Sequence, residues 1–321
     1  KGGPYYSGEP ALAGVIVVLT GVDDLGASQR QTATTSGLTG DYAFSGLRPG
    51  AYTITEQQPS GYADGKDTPG CCVASVVSND QFRFEALAAG ADAQHFNFGE
   101  RRSGIAGAVR AGPYSGIGGA VVRLYGVDAS GAAVTRATAT DGLGAFVFGD
   151  LLTGTYRISE TQPAGYLDGL ESVGNLGGLV GGAAPDYDEI GSIPYIPGQF
   201  GDGYIFNEVA PARVTGYVFY DVNGSGDRDG GDLNLANVTV VLSGTTDRGQ
   251  RALMTTTTGN DGAFAFETLR PGTYALIELQ PDGYTDGDDL AGTLGGTPDG
   301  ADSILNLTLS AASEAINYRF G

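Results

Sequence analysis

A pattern of sixteen residues occurs three times in this chain, and that repetition restricts the fold more than any other feature. It runs from Gly50 to Gly65, with Tyr52, Glu56, Pro59, Gly61, Tyr62 and Asp64 in fixed places. It returns from Gly154 to Gly169 with Tyr156, Glu160, Pro163, Gly165, Tyr166 and Asp168. The third copy spans Gly272 to Gly287, with Tyr274, Glu278, Pro281, Gly283, Tyr284 and Asp286. Each copy reads as an alternating strand stopped by Pro, which donates no ladder hydrogen bond, and then turned by Gly. Asn97, Asn207 and Asn317 follow 110 residues apart and are read as one closing position. The 321 residues therefore divide into three domains, 1–100, 101–210 and 211–321, each large enough for its own core.

Within each copy one plan recurs. A buried strand (Val15–Leu19, Ala120–Leu124, Val238–Leu242) leads through a polar hairpin to a Thr-rich strand. An aromatic alternation follows: Tyr42-Ala-Phe44, Phe146-Val-Phe148 or Phe264-Ala-Phe266. After the organising strand, each copy ends on a last alternation near Phe96, Phe206 or Tyr318. Short strands about ten residues apart, separated by Gly turns and without 3.6-residue periodicity, predict three tandem all-β, prealbumin-like or immunoglobulin-like sandwiches. The joins, Gly99–Ser103 and Glu208–Ala212, are short and not Gly/Ser-rich, so a stiff rod is expected.

The copies differ in two places. The second reads as carrying an inserted loop, 174–203, with Tyr187, Ile193, Tyr195, Ile196 and Phe200 as its apolar content. It is expected to be either a lid on its own domain or a contact surface for a partner. The first reads as lacking its first strand, because Lys1–Tyr5 aligns with Arg110–Tyr114, beyond the strand at Gly104–Val109. A missing edge strand exposes a ladder that a strand from another subunit could fill, and such head-to-tail contacts build filaments. The alternative is a chain that is mature, truncated or excised from something longer, consistent with its lack of an initiator Met, signal peptide or transmembrane-length apolar run.

Charge narrows the function classes. Seventeen Lys and Arg against 37 Asp and Glu give a net charge of −20, which disfavours nucleic acid and anionic membranes and offers carboxylates to cations. The two cysteines, Cys71 and Cys72, are adjacent; they read as a vicinal disulfide, two buried thiols or an inter-subunit bridge, and not as a zinc site.

The most specific local motif is Asp221-Val-Asn-Gly-Ser-Gly-Asp-Arg-Asp-Gly-Gly-Asp232. Taking Asp221 as position one, Asp221, Asn223, Ser225, Asp227, Asp229 and Asp232 occupy positions 1, 3, 5, 7, 9 and 12, with Gly226 at 6. A hard cation needs six or more oxygens on a sharply turned loop, so this spacing predicts Ca2+ in the third domain. Position 7 ordinarily contributes its carbonyl, leaving the Asp227 side chain to face outward. The first two copies lack the loop, so no equivalent ion is expected there. The acidic runs at Asp286, Asp288 and Asp289, and at Asp64 and Asp67, read as solvated turns.

The pairs Glu56/Asn97, Glu160/Asn207 and Glu278/Asn317 have the residue types of an isopeptide site. The chain's lysines are Lys1 and Lys66, so a buried Glu bonded to backbone groups is the expected structural role of each pair. With one His, no nucleophile elbow and carboxylates placed in turns, no enzyme is expected.

Taken together, these residues resemble the B-type repeats of serine–aspartate repeat surface adhesins, relatives of the collagen-adhesin B-type, prealbumin-like domains. The resemblance rests on Gly216–Gly226, Asn237–Gly244, Leu269–Tyr274 and Glu278–Tyr284. It covers the third copy throughout and the first two from their second strand onward. It implies a secreted, extracellular cell-surface stalk, stiffened by calcium, that projects other domains of a larger surface protein; the homo-oligomeric filament is the expectation from the incomplete first copy. The alternative expectation is a carbohydrate- or protein-binding adhesive module acting through 174–203.

Overall fold

The computed structural model describes residues 10–71, 74–181, 188–300 and 302–321. Every regular element among them is a strand, and the buried apolar side chains form three separate cores. No helix there is long and apolar enough to cross a membrane.

All three domains share one five-stranded sheet. In the second, its order is Ala133–Ala139, Val121–Asp128, Gly154–Glu160, Glu189–Tyr195 and Leu179–Gly181, all neighbours antiparallel. The organising strand is central. Its two-residue alternation turns Tyr156, Ile158 and Glu160 inward, as it does Tyr52, Ile54 and Glu56, and Tyr274, Leu276 and Glu278. Each strand is pinned at its start, where the tyrosine hydroxyl donates to a carbonyl four residues upstream: Tyr52 to Arg48, Tyr156 to Leu152 and Tyr274 to Arg270. Glycine is required opposite that ring. A Cβ on Gly126 would lie 2.4 Å from Tyr156, and Gly21 and Gly244 are equally crowded.

A second sheet closes the sandwich in the later domains. In the second domain Gly104–Ala111 lies between antiparallel Ala145–Phe148 and parallel Phe200–Val209. In the third, Ala212–Tyr220 lies between antiparallel Ala263–Leu269 and parallel Glu314–Phe320. The opening strand, expected at an edge, is therefore central: it hydrogen-bonds on both sides. In the first domain Tyr42–Phe44 and Phe96–Phe98, the counterparts of its two partners, form no described strand. Asn97 makes a single bridge to Thr68. The segment 1–9 lies outside the described residues.

The structure corrects the reading of 174–203 as an insertion. Glu189–Tyr195 matches Gln81–Leu87 and Ser303–Leu309 in the other domains, and Leu179–Gly181 matches Ala74–Ser78 and Thr297–Pro298. From the bridge at Ser172 to its partner Ile205 is 205 − 172 = 33 residues, against 97 − 68 = 29 and 319 − 290 = 29 in the other domains. Four residues are extra. Ile190, Ile193 and Tyr195 are core, because the sheet requires that strand in every copy, whereas Ile196 is exposed and Tyr187 lies outside the described residues.

The same bridges separate the three asparagines. Asn97, Ile205 and Arg319 are equivalent, so Asn207 lies two residues past the position and Asn317 two residues before it. Their equal spacing arises because loops of unequal length happen to compensate.

Candidate functional site

Two acidic constellations stand out, one legible in the sequence and one assembled only by the fold.

The first is the third-domain loop. Tyr220 pairs with Leu233 and Phe219 with Asn234, which closes 221–232 at its base. Gly224 and Gly226 have φ of 67° and 72°, the left-handed backbone that turns the chain sharply. Asp221 accepts the amides of Asn223, Gly224, Ser225 and Gly226, and these bonds hold its carboxyl below the ordinary range. Asp232 accepts from the amides of Val222 and Asp229, and Asn223 donates to Asp229. Ser225 Oγ donates to the carbonyl of Asp227, whose side chain points away to a 2.8 Å ion pair with Arg319. Asp288 lies against Gly226, where its Oδ2 is 3.1 Å from the position a Cβ would take. The loop thus carries Asp221, Asn223, Ser225, Asp229 and Asp232 as its oxygen donors and turns Asp227 outward. That donor set fits a calcium ion.

The second constellation lies where each domain meets the next. In the second domain Glu160, Asp188 and Glu208 place one carboxylate oxygen each within 4.8 Å of one another, and Asp168, Glu171 and Asp188 do the same. In the first domain the triples are Glu56, Asp80, Glu100 and Asp64, Asp67, Asp80. The correspondence holds residue by residue. The amide of Glu160 donates to the carbonyl of Asp188, as that of Glu56 does to Asp80 and that of Glu278 to Asp302. Gln162 holds Glu208, and Gln58 holds Glu100. Glu160 and Glu208 are 6 % and 4 % exposed, and Glu56 is 7 % exposed.

The expectation that the recurring Glu side chain bonds to backbone is corrected for Glu160. Neither of its oxygens accepts a hydrogen bond among the described residues, nor do Glu56 Oε2 and Glu208 Oε1. They face other carboxylates instead. Two like charges 4.8 Å apart at an effective dielectric near 20 repel by on the order of 3 kcal/mol. Burial, and then the neighbouring acids, push Glu56, Glu160 and Glu278 up to about 8. Burial likewise raises Glu208 to about 8 and Glu171 and Asp289 to about 7. Asp64 and Asp67, read as part of a solvated turn, are half-buried members of this nest. The period-two alternation already places Glu on the same inward row as Tyr and Ile; what it does not show are the carboxylates that meet it there from other segments.

The other named residues are placed apart. Asn207 donates to the Leu170 carbonyl at 2.5 Å, and Asn317 is an exposed-edge position with φ of 67°. Lys66 is exposed and Lys1 lies outside the described residues. Cys71 is exposed, and its amide donates to Gln94. Cys72 lies outside the described residues, so the pairing of the two cysteines does too.

The chain is similar to known proteins. Residues 212–314 match the SdrD B-like domain. The resemblance read from the motifs of the third copy is thereby borne out. The chain is 26 % identical over 306 residues to serine-aspartate repeat-containing protein D of Staphylococcus aureus strain MW2, covering 89 % of this chain and 21 % of that protein. It is 28 % identical over 299 residues to the bone sialoprotein-binding protein of Staphylococcus aureus, covering 87 % of this chain and 24 % of that one. The chain thus spans less than a quarter of the length of these relatives. Among solved structures, the full-length major pilin SpaD from Corynebacterium diphtheriae is similar at 14 % identity and a TM-score of 0.36, over 97 % of this chain and 94 % of that one.

Proposed function

We propose that this chain is a non-enzymatic, extracellular structural segment of a cell-surface adhesin, a stalk whose sandwiches hold other parts of the protein away from the cell. The joints carry this reading. Tyr62–Asp64 pairs with Glu100–Arg102, so the first join is a ladder, and Ser60 donates to Asp150 across it at 2.7 Å. At the second join Leu167–Asp168 pairs with Glu208 and Val209. Arg248 reaches from the third domain to the Asp168 carboxylate at 2.9 Å, and Arg270 donates to the Asp168 carbonyl at 2.8 Å. The Arg248–Asp168 pair is nearly buried, which separates it from weak surface pairs. Small-angle scattering of the purified chain tests the stalk: one narrow maximum dimension is expected, broadening in R248A/R270A. A wild-type chain already scattering as loosely tethered beads refutes it.

The third-domain loop binds calcium in this reading, and the first domain is the joint between subunits. Its open groove of about 350 Å³ is lined by Leu19, Tyr42, Phe44, Phe84 and Phe96. The strands that fill the corresponding place elsewhere, Ile105-Ala-Gly-Ala-Val109 and Val214-Thr-Gly-Tyr-Val218, carry two branched apolar residues around a Gly. In both, a Cβ on the Gly would meet a carbonyl oxygen within 2.2 Å. The groove is read as taking a strand of that pattern from a neighbouring subunit. A labelled peptide of residues 104–111 should bind the chain and dissolve any fibres. No binding, with fibres unaffected, removes strand addition and leaves the stalk.

A further inference from the structure

We propose that the carboxylate nests at the ends of the first and second domains are divalent-cation sites, and that calcium bound there, independently of the third-domain loop, locks the joints. The second domain supplies the strongest observation. Glu160 is 94 % buried by its 6 % exposure, both its oxygens lack hydrogen bonds among the described residues, and it points at Asp188 and Glu208. A buried polar group without a partner is costly, and a charged one more so. Topologically equivalent residues, Glu56, Asp80 and Glu100, form the same cluster in the first domain, on a loop of different length and sequence.

Geometry and donor chemistry agree on the ligand. Calcium binds oxygens at about 2.3–2.6 Å, so two ligands of one ion lie at most about 5 Å apart. The three oxygens of each triple fall inside that limit, at 4.8 Å or less. Every donor is a carboxylate. Oxygen-only sets suit calcium, magnesium or manganese, whereas zinc favours nitrogen and sulfur. The two triples in each nest share one Asp, so five carboxylates stand close enough to supply the many-oxygen shell that calcium takes.

The position gives the ion a task. Glu100 lies in the strand that pairs across the first join, and Glu208 in the ladder facing Asp168, the residue Arg248 and Arg270 grip from the third domain. An ion on Glu208 and Glu160 ties the last strand of a domain to its central strand just where load passes to the next domain.

The test is calcium flow dialysis on the chelator-stripped 321-residue chain, on D221N/D229N, and on E160Q and E56Q. The wild type should bind more than one ion. The loop variant should lose one and keep the rest, while E160Q and E56Q should each weaken one site at least tenfold and leave the loop site intact. Thermal midpoints in chelator guard against misfolding. E160Q should match or exceed the wild type there, since it removes a buried acid that must either stay protonated or face other carboxylates, and should gain less from added calcium. If E160Q does not fold, the loop variant's stoichiometry decides. A loop variant that binds no calcium, or an E160Q isotherm identical to wild type, overturns the proposal.

Discussion

The first and third domains share a five-stranded sheet with the same tyrosine pin and the same inward Glu, yet their second sheets differ. In the third, Ala212–Tyr220 pairs on both flanks and the core closes around Tyr318 and Phe320. In the first, Tyr42–Phe44 and Phe96–Phe98 flank a groove with no described strand between them. The five-stranded sheet is built from hairpins and neighbours in sequence, so it forms locally. The second sheet depends on one central strand whose parallel partner is about a hundred residues away, and without that ladder the flanks keep only the Thr68–Asn97 bridge and the bond from the Tyr42 hydroxyl to the Phe96 carbonyl.

That contrast can be broken most forcefully at Gly216. A Cβ there would lie 2.2 Å from the Tyr318 carbonyl oxygen and 2.5 Å from the Phe264 ring. Gly216→Val should cost about 4 kcal/mol or more, because the obstruction is backbone. Chemical denaturation should show the third domain unfolding first while the first domain's transition stays put. A concerted loss of all three domains would mean that they do not fold as separate units.

A milder comparison sets Leu242 against Leu19, equivalent core positions that are 0 % and 2 % exposed. Leu242→Ala should cost about 3 kcal/mol in a closed core, and Leu19→Ala about 2 kcal/mol, since Leu19 borders the groove and its surroundings can relax. Urea midpoints of the two variants check this. Equal losses would show that the groove is filled in solution.

A further comparison concerns pH in the presence of chelator. Glu56, Glu160 and Glu278 sit at about 8 in the folded chain against an ordinary 4.5. Between those values the folded chain holds protons that the unfolded chain has released, so stability is greatest toward the acid end and declines as pH rises to 8. Asp23, Asp128 and Asp221, held low by backbone and side-chain hydrogen bonds, act oppositely, but only as pH falls through the ordinary 3.8. Thermal midpoints of the chelated chain should therefore drop from pH 5 to pH 8. Saturating calcium should flatten or reverse that slope. A chelated chain that gains stability over this interval would place the nests in water.

Much was legible in residue order because it rests on local chemistry. The triple pattern, the two-residue alternation, the Pro and Gly stops and the 1-3-5-7-9-12 oxygen spacing each depend on residues within one turn or strand of one another. Those rules put Tyr52, Tyr156 and Tyr274 on the inner row and folded 221–232 as a loop with Asp227 outward. They failed where spacing along the chain stood in for position in space. The asparagines at equal intervals are not equivalent, and 174–203 is a normal strand pair made long by four residues.

What the tertiary structure alone decided is which distant groups meet. Glu56 and Glu100 are 44 residues apart, as 100 − 56 shows, and no periodicity links an inward strand residue to a carboxylate in the next join. Burial against the other sheet turned acidic side chains that read as solvated into a nest, since exposure depends on what packs above a residue and not on its type. The central place of the opening strand was likewise undetermined by its composition. A strand with apolar residues on its inner row reads the same at an edge or in the middle, and only the partners on either side settle which it is.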